Sequence, residues 1–250
     1  MSQRDMTVYE HIGELRKRLI IVVVFFVFAI IASFFLSQPL IKYLQHTDEA
    51  RDLVMNAFRV TDPFKVYMQM TFVLALLMTM PVILYQLWAF VSPGLFDKER
   101  RTTLHYIPVS IILFIIGMCF SYFILFPFVI RFMLGLSGNM NIQTTIGINE
   151  YFQFLLQITL PFGFLFQLPV VVLFLTRLGI VTPAFMMSIR KHAYFVLLVI
   201  AGLITPPDIV SHMMVTLPLL LLYEISIWIS KIGYRKSMST AQEEETEGTI

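Results

Sequence analysis

The residues best suited to chemistry in this chain lie in two short charged segments. In the first, Glu14 stands among Arg16, Lys17 and Arg18; in the second, Glu99 stands among Asp97, Lys98, Arg100 and Arg101. A carboxylate set among cations is suited to ion pairing and charge-assisted hydrogen bonding rather than to bond making. If these groups only pair with one another at a surface, they contribute little energy. From the residues alone, that reading and a recognition site both stand open. Signatures of bond-making chemistry are missing: there is no H-E-x-x-H, no G-x-S-x-G and no pair of intramembrane aspartates. None of the five histidines falls deep in an apolar run. The chain therefore reads as no enzyme, and in particular as no intramembrane protease. No cofactor is expected.

Other polar residues interrupt apolar stretches. Glu224 is the one carboxylate inside such a run and lies near Lys231. It reads either as part of a transport path or as an interfacial group reaching headgroup water or Lys231. Gln86, Gln153, Gln157 and Gln167 read as helix-packing contacts; Gln167, beside Pro169, is also placed to meet a partner helix. Cys119 is the single cysteine, which excludes an internal disulfide, makes a metal cluster unexpected and predicts a small buried apolar residue.

The elements that must hold these residues are set by the absence of charge. Residues 66–96 form 31 consecutive positions without Lys, Arg, Asp or Glu, and 19–41, 102–130, 151–176, 192–207 and 209–223 are free of them too. A helix needs about 20 mostly apolar residues to cross a hydrocarbon core of about 30 Å. The 250 residues are 58% hydrophobic, with a mean hydropathy of +0.79. Six runs predict an all-α membrane protein with six transmembrane helices, near Leu15–Leu36, Val66–Val91, Tyr106–Ile130, Glu150–Thr176, residues 183–204 and Ile209–Ser230. The last two uncharged runs, 16 and 15 residues long, predict two short C-terminal spans. The first run exceeds a signal-peptide core and no A-x-A site follows, so it reads as a retained helix.

Punctuation between the runs is readable. Residues 37–65 are polar, 136–149 form a Gly/Asn/Thr-rich loop, and Pro206-Pro207-Asp208 predicts a tight hairpin. Ser92-Pro93 and Thr182-Pro183 read as N-caps with proline in the first turn. Pro81, Pro108, Pro127, Pro161, Pro169 and Pro218 lie in or near spans and predict a curved bundle with a concave face. No internal repeat is evident. Of the 18 Lys and Arg residues, 13 fall in one set of loops and 5 in the other. The positive-inside rule then puts both termini in the cytoplasm. Residues 1–236 form the transmembrane domain, and 237–250 read as a disordered acidic tail. The net charge of +2 gives no reason to expect nucleic acid.

The charged segments, with Ser37-Gln38-Pro39-Leu40, Pro81-Val82-Ile83-Leu84-Tyr85-Gln86-Leu87-Trp88-Ala89-Phe90 and Leu203-Ile204-Thr205-Pro206-Pro207-Asp208, resemble the signatures of the TatC family. That family is the polytopic core of the twin-arginine (Sec-independent) protein translocase, and the resemblance runs in order from about His11 to Lys231. It implies signal-peptide-binding carboxylates at Glu14 and Glu99, a loop aromatic at Phe90, a first-outer-loop proline at Pro39 and an outer-hairpin acid at Asp208. A signal with two arginines offers two planar forks, one for each carboxylate. Arg16, Arg18, Arg100 and Arg101 would hold the carboxylates in the empty state. The resemblance also implies single-helix partners of the TatA/TatB type, several copies in the complex, folded cargo, a lipid environment and use of the proton-motive force. Many family members carry a glutamate inside helix four where this chain has Gln167, which implies no titratable group at that depth. A small-molecule secondary transporter is the alternative; it would want inverted repeats, broken helices and midplane charges.

Overall fold

The computed structural model describes residues 8–47, 54–91, 106–140, 145–206 and 208–247. Helices dominate: α1 (Val8–Gln45), α2 (Asp62–Val91), α3 (Tyr106–Phe120), α4 (Phe126–Asn139), α5 (Ile148–Leu165), α6 (Leu168–Arg177), α7 (Pro183–Ser188), α8 (Arg190–Ile204) and α9 (Ile209–Glu247). Two short strands, β1 (Met55–Asn56) and β2 (Ile146–Gly147), pair in parallel. The chain divides into two compact units. One comprises Met1–Ile107 with Thr145–Gln153, and the other comprises Pro108–Thr144 with Phe154–Ile250.

The first unit rests on the α1–α2 pair. Ala29, Ser33 and Ser37 recur every four residues on α1 and are buried, as are Thr71, Ala75 and Thr79 on α2. Residues four apart share a helix face, so each helix carries a stripe of small side chains. Such stripes let backbones approach closely where lipid supplies no hydrophobic drive between helices. Ser37 and Thr71 hydroxyls meet at 2.8 Å, and Ser33 donates to the Met78 sulfur at 3.5 Å. The opposite face of α1 is apolar and open, with Phe28 and Phe35 about two-thirds to three-quarters exposed. A stripe of that kind suits lipid as its solvent.

Helix α1 continues past the predicted end at Leu36 and carries the exposed Pro39 within it, not in a loop. Proline has no N–H, so the ladder loses its bond to the Phe35 carbonyl. Side chains work on the carbonyls of that same turn: Ser37 donates to the Ser33 carbonyl at 2.6 Å, and the Tyr67 hydroxyl donates to that of Phe34. Helix α2 starts at Asp62, before the predicted Val66, because the buried Asp62 carboxylate accepts the Arg59 N–H at 2.8 Å. The strand pair, Met55 with Ile146 and Asn56 with Gly147, has no counterpart in the sequence reading. Two residues are too few for any alternation to register.

In the second unit, proline shapes the helices. Between α3 and α4 the Phe126 N–H bonds the Ser121 carbonyl, five residues back, giving a π-helical turn at Ser121–Leu125. Pro127 follows at once; its ring clashes with a normal ladder and its missing donor shifts the register. The predicted continuous fourth helix is broken: α5 ends at Leu165 and α6 starts at Leu168, since Pro169 cannot bond the Leu165 carbonyl. Gly117 lets α3 and α5 touch, because a Cβ there would lie 2.7 Å from the Phe162 carbonyl oxygen. Helices α6 and α9 meet through the buried hydroxyls of Thr176 and Ser230, 2.8 Å apart.

Among the described residues, five helical stretches are long and apolar enough to cross a membrane: Ile12–Gln45, Asp62–Phe90, Ile107–Gly138, Ile148–Arg177 and Ile209–Arg235. The expected fifth span corresponds to α8, only 15 residues long. Thr182 caps α7 as predicted, accepting the Phe185 N–H, but α7 ends after one turn and a half and α8 starts separately at Arg190. One expectation is corrected. Cys119 is exposed, not buried, because burial statistics from water-soluble cores do not hold for a helix whose outer face meets lipid. Helix α9 runs on to Glu247. Extending an existing helix adds one hydrogen bond per residue and needs no core.

Candidate functional site

Glu14 and Arg18 lie one turn apart on α1, the spacing that brings two side chains together on a helix face. Arg18 spends two donors on one carboxylate oxygen: Nη2 and Nε lie 2.5 and 3.2 Å from Glu14 Oε1. Its third contact crosses to α2, where Nη1 donates to Gln86 Oε1 at 3.3 Å. Both members of the ion pair are only about a fifth exposed, at 21% and 22%. The second carboxylate oxygen, Glu14 Oε2, is buried and has no hydrogen-bond partner among the described residues. A buried carboxylate oxygen left unmatched costs free energy, so the geometry favours a further donor.

Arg16 is exposed, two positions from Glu14 and so on another side of α1. Phe90 is half-buried on α2, one turn beyond Gln86 and on the same face. Pro81, also half-buried, lies within α2 one turn ahead of Tyr85. Glu99 and Arg100, with the cap at Ser92-Pro93 and the helix expected there, lie outside the described residues. The sequence reading assigned Gln86 to packing. Its link to Arg18 spans 68 positions, and no periodic signal reports a contact of that kind.

The remaining candidates sit apart from this group in the chain. Gln167 is buried in the second unit, where its amide nitrogen donates to the Ser110 carbonyl at 2.9 Å; its Oε1 is buried without a partner among the described residues. Asp208 caps α9, accepting the Ser211 N–H at 2.7 Å. Gln157 bonds the Ile204 and Leu203 carbonyls at 3.2 and 3.4 Å, satisfying the end of α8. Glu224 turns to Arg190 on α8, at 2.7 Å, and to the Tyr194 hydroxyl. Neither headgroup water nor Lys231 is needed to satisfy it.

Chemically, the α1–α2 group can bind a cationic donor. Nothing in it is arranged to attack or to transfer a proton. Arg18 holds one carboxylate oxygen and the other has no partner among the described residues, so the group can accept one further charge-assisted bond.

Comparison with known proteins assigns the chain. Residues 10–218 match the family model TatC, Sec-independent protein translocase protein. The chain is 63% identical over 241 residues to the Sec-independent protein translocase protein TatCy of Bacillus subtilis, covering 96% of this chain and 95% of that one. It is 61% identical over 236 residues to TatC of Halalkalibacterium halodurans, covering 94% and 93%. A crystal structure of the twin arginine translocase receptor TatC aligns with a TM-score of 0.79 at 31% identity, over 90% of this chain and 99% of that one.

Proposed function

The chain belongs to the TatC family of Sec-independent protein translocase proteins, and we propose that it is the subunit that receives twin-arginine signal peptides, with Glu14 as a primary contact. It is a multi-pass helical membrane protein. The observation that carries the reading is the Glu14 carboxylate, with Oε1 held by Arg18 and Oε2 buried without a partner among the described residues. A signal arginine docks on that open oxygen, and Glu99 takes the second arginine from the neighbouring segment. Phe90 lines the approach, while Arg18 and Arg100 compete for the carboxylates in the empty site, and Arg16 stands on another side of α1. The apolar part of the signal then lies against lipid-facing helix surface. Binding is an exchange of partners, without covalent change, so the protein is not an enzyme.

Both termini lie in the cytoplasm, as the 13-to-5 division of basic residues requires. Helix α8 completes a sixth span, its short length met by local thinning of the bilayer or by the snorkelling of Arg190 and Lys191. The protein resides in the cytoplasmic membrane and works with TatA/TatB-type single-helix subunits, in several copies, on folded cargo driven by the proton-motive force. The family assignment leaves a small-molecule transporter without support, although the break before Pro169 is one feature such a transporter would share.

The test is binding of a synthetic signal peptide to the purified chain in lipid nanodiscs. A twin-arginine peptide binds tighter than its twin-lysine counterpart, because lysine keeps the charge and loses the fork. Equal affinity for the two peptides would overturn the reading.

A further inference from the structure

Arg18 engages Glu14 and Gln86 together, and the way it divides its donors is informative. A guanidinium facing a carboxylate ordinarily forms two parallel bonds, one to each oxygen. Here Nε and Nη2 converge on Glu14 Oε1 alone, while Nη1 is drawn to Gln86 Oε1 at 3.3 Å. The consequence is that Glu14 Oε2 has no partner among the described residues. Gln86 is neutral, so it attracts Arg18 without drawing it away from Glu14 altogether. It is also the acceptor already in contact with Arg18 when a second guanidinium arrives at Glu14. At the low-dielectric edge of a span, a displaced cation without an acceptor is costly.

We propose that Gln86 is a positioning residue of the receptor site: it tethers Arg18 so that half of the Glu14 carboxylate stays open, and it accepts Arg18 when a signal arginine takes its place. The inference rests on the receptor reading above. Gln86 itself does not touch the peptide. It sets the cost of the exchange through Arg18, and with it the preference for arginine over lysine in the signal. Without Gln86, Arg18 closes onto both oxygens of Glu14, and the peptide must break a full bidentate pair to enter.

The experiment is a double-mutant cycle read as peptide affinity, using the full chain in lipid nanodiscs and a synthetic twin-arginine signal peptide. Gln86→Leu weakens binding about tenfold, the equivalent of one charge-assisted bond. Gln86→Glu, which keeps an acceptor for Arg18, binds at least as tightly as the unaltered protein. In an Arg18→Gln background, Gln86→Leu has no further effect, since Arg18 is the only route by which it acts. Equal losses from Gln86→Leu in both backgrounds would overturn the proposal and make Gln86 a packing residue or a direct contact. Unchanged affinity in Gln86→Leu overturns it as well, and if Glu14→Ala still weakens binding in the same assay, the receptor reading survives. If Glu14→Ala is also without effect, the receptor reading itself fails.

Discussion

Ser37 of α1 and Thr71 of α2 share a hydrogen bond of 2.8 Å at the centre of a stripe of small residues. Each hydroxyl also lies within bonding distance of a carbonyl of its own helix, Ser33 at 2.6 Å and Tyr67 at 2.8 Å, so one of the two donates to its partner while the other donates to its carbonyl. Losing one hydroxyl therefore leaves the other satisfied. Ser37→Ala costs only about 0.6 kcal/mol, typical of a polar contact between membrane helices. Ala75→Leu puts a large side chain into a fully buried position and costs roughly 1–3 kcal/mol. Thermal unfolding in detergent separates the two; equal melting temperatures would show that close approach does not hold the pair.

A second prediction concerns glycines of the other unit. Gly117→Ala places a Cβ 2.7 Å from the Phe162 carbonyl oxygen and lowers stability, whereas Gly135→Ala meets nothing within 4 Å. The Gly135 variant gains roughly 0.5–1 kcal/mol from helix propensity. Melting curves for the two variants should move in opposite directions. Movement in the same direction contradicts the close packing of α3 on α5.

At the receptor site, Glu14→Ala and Glu99→Ala each weaken twin-arginine peptide binding by roughly 1.5–3 kcal/mol, the value of a hydrogen bond to a charged group. Membrane insertion is unchanged. Titration calorimetry or fluorescence anisotropy gives the affinities. If both variants bind as tightly as the unaltered chain, the carboxylates are not the receptor contacts.

Orientation is open to chemical labelling. With Cys119→Ser as background, cysteines at positions 97 and 188 stay unlabelled by an impermeant thiol reagent in intact cells, and those at 48 and 143 react. Labelling at 97 before permeabilisation reverses the assigned topology.

Gln167 offers a test of partner docking. Its amide nitrogen is committed to the Ser110 carbonyl, which leaves Oε1 as the atom with hydrogen-bonding capacity to spare. Gln167→Leu removes both groups and reduces co-purification of a TatA/TatB-type subunit, leaving peptide binding at Glu14 intact. Normal co-purification and export in that variant confine Gln167 to bracing α3. Because an amide does not titrate, proton coupling in this chain does not pass through position 167.

Much of the architecture is legible because lipid imposes it. Stretches without charge, such as 19–41 within α1, mark helices, since a spanning segment must satisfy its own backbone. The cap at Thr182 follows from a side-chain oxygen near a free N–H group, which is local chemistry. The carboxylates Glu14 and Glu99 stand out among their neighbouring cations for the same reason. Prolines were legible as residues but not in their effect. Pro39 leaves α1 continuous, Pro127 turns the ladder into a π register, and Pro169 breaks a helix. The result depends on how neighbouring groups support the turn that each proline disturbs, as Tyr67 does at the Phe34 carbonyl. Only the tertiary structure decided that Gln86 would hold Arg18 and that Glu224 would find Arg190. Such contacts join residues 68 and 34 positions apart, and a side chain's partner across that distance is chosen by how helices pack, not by the residues beside it.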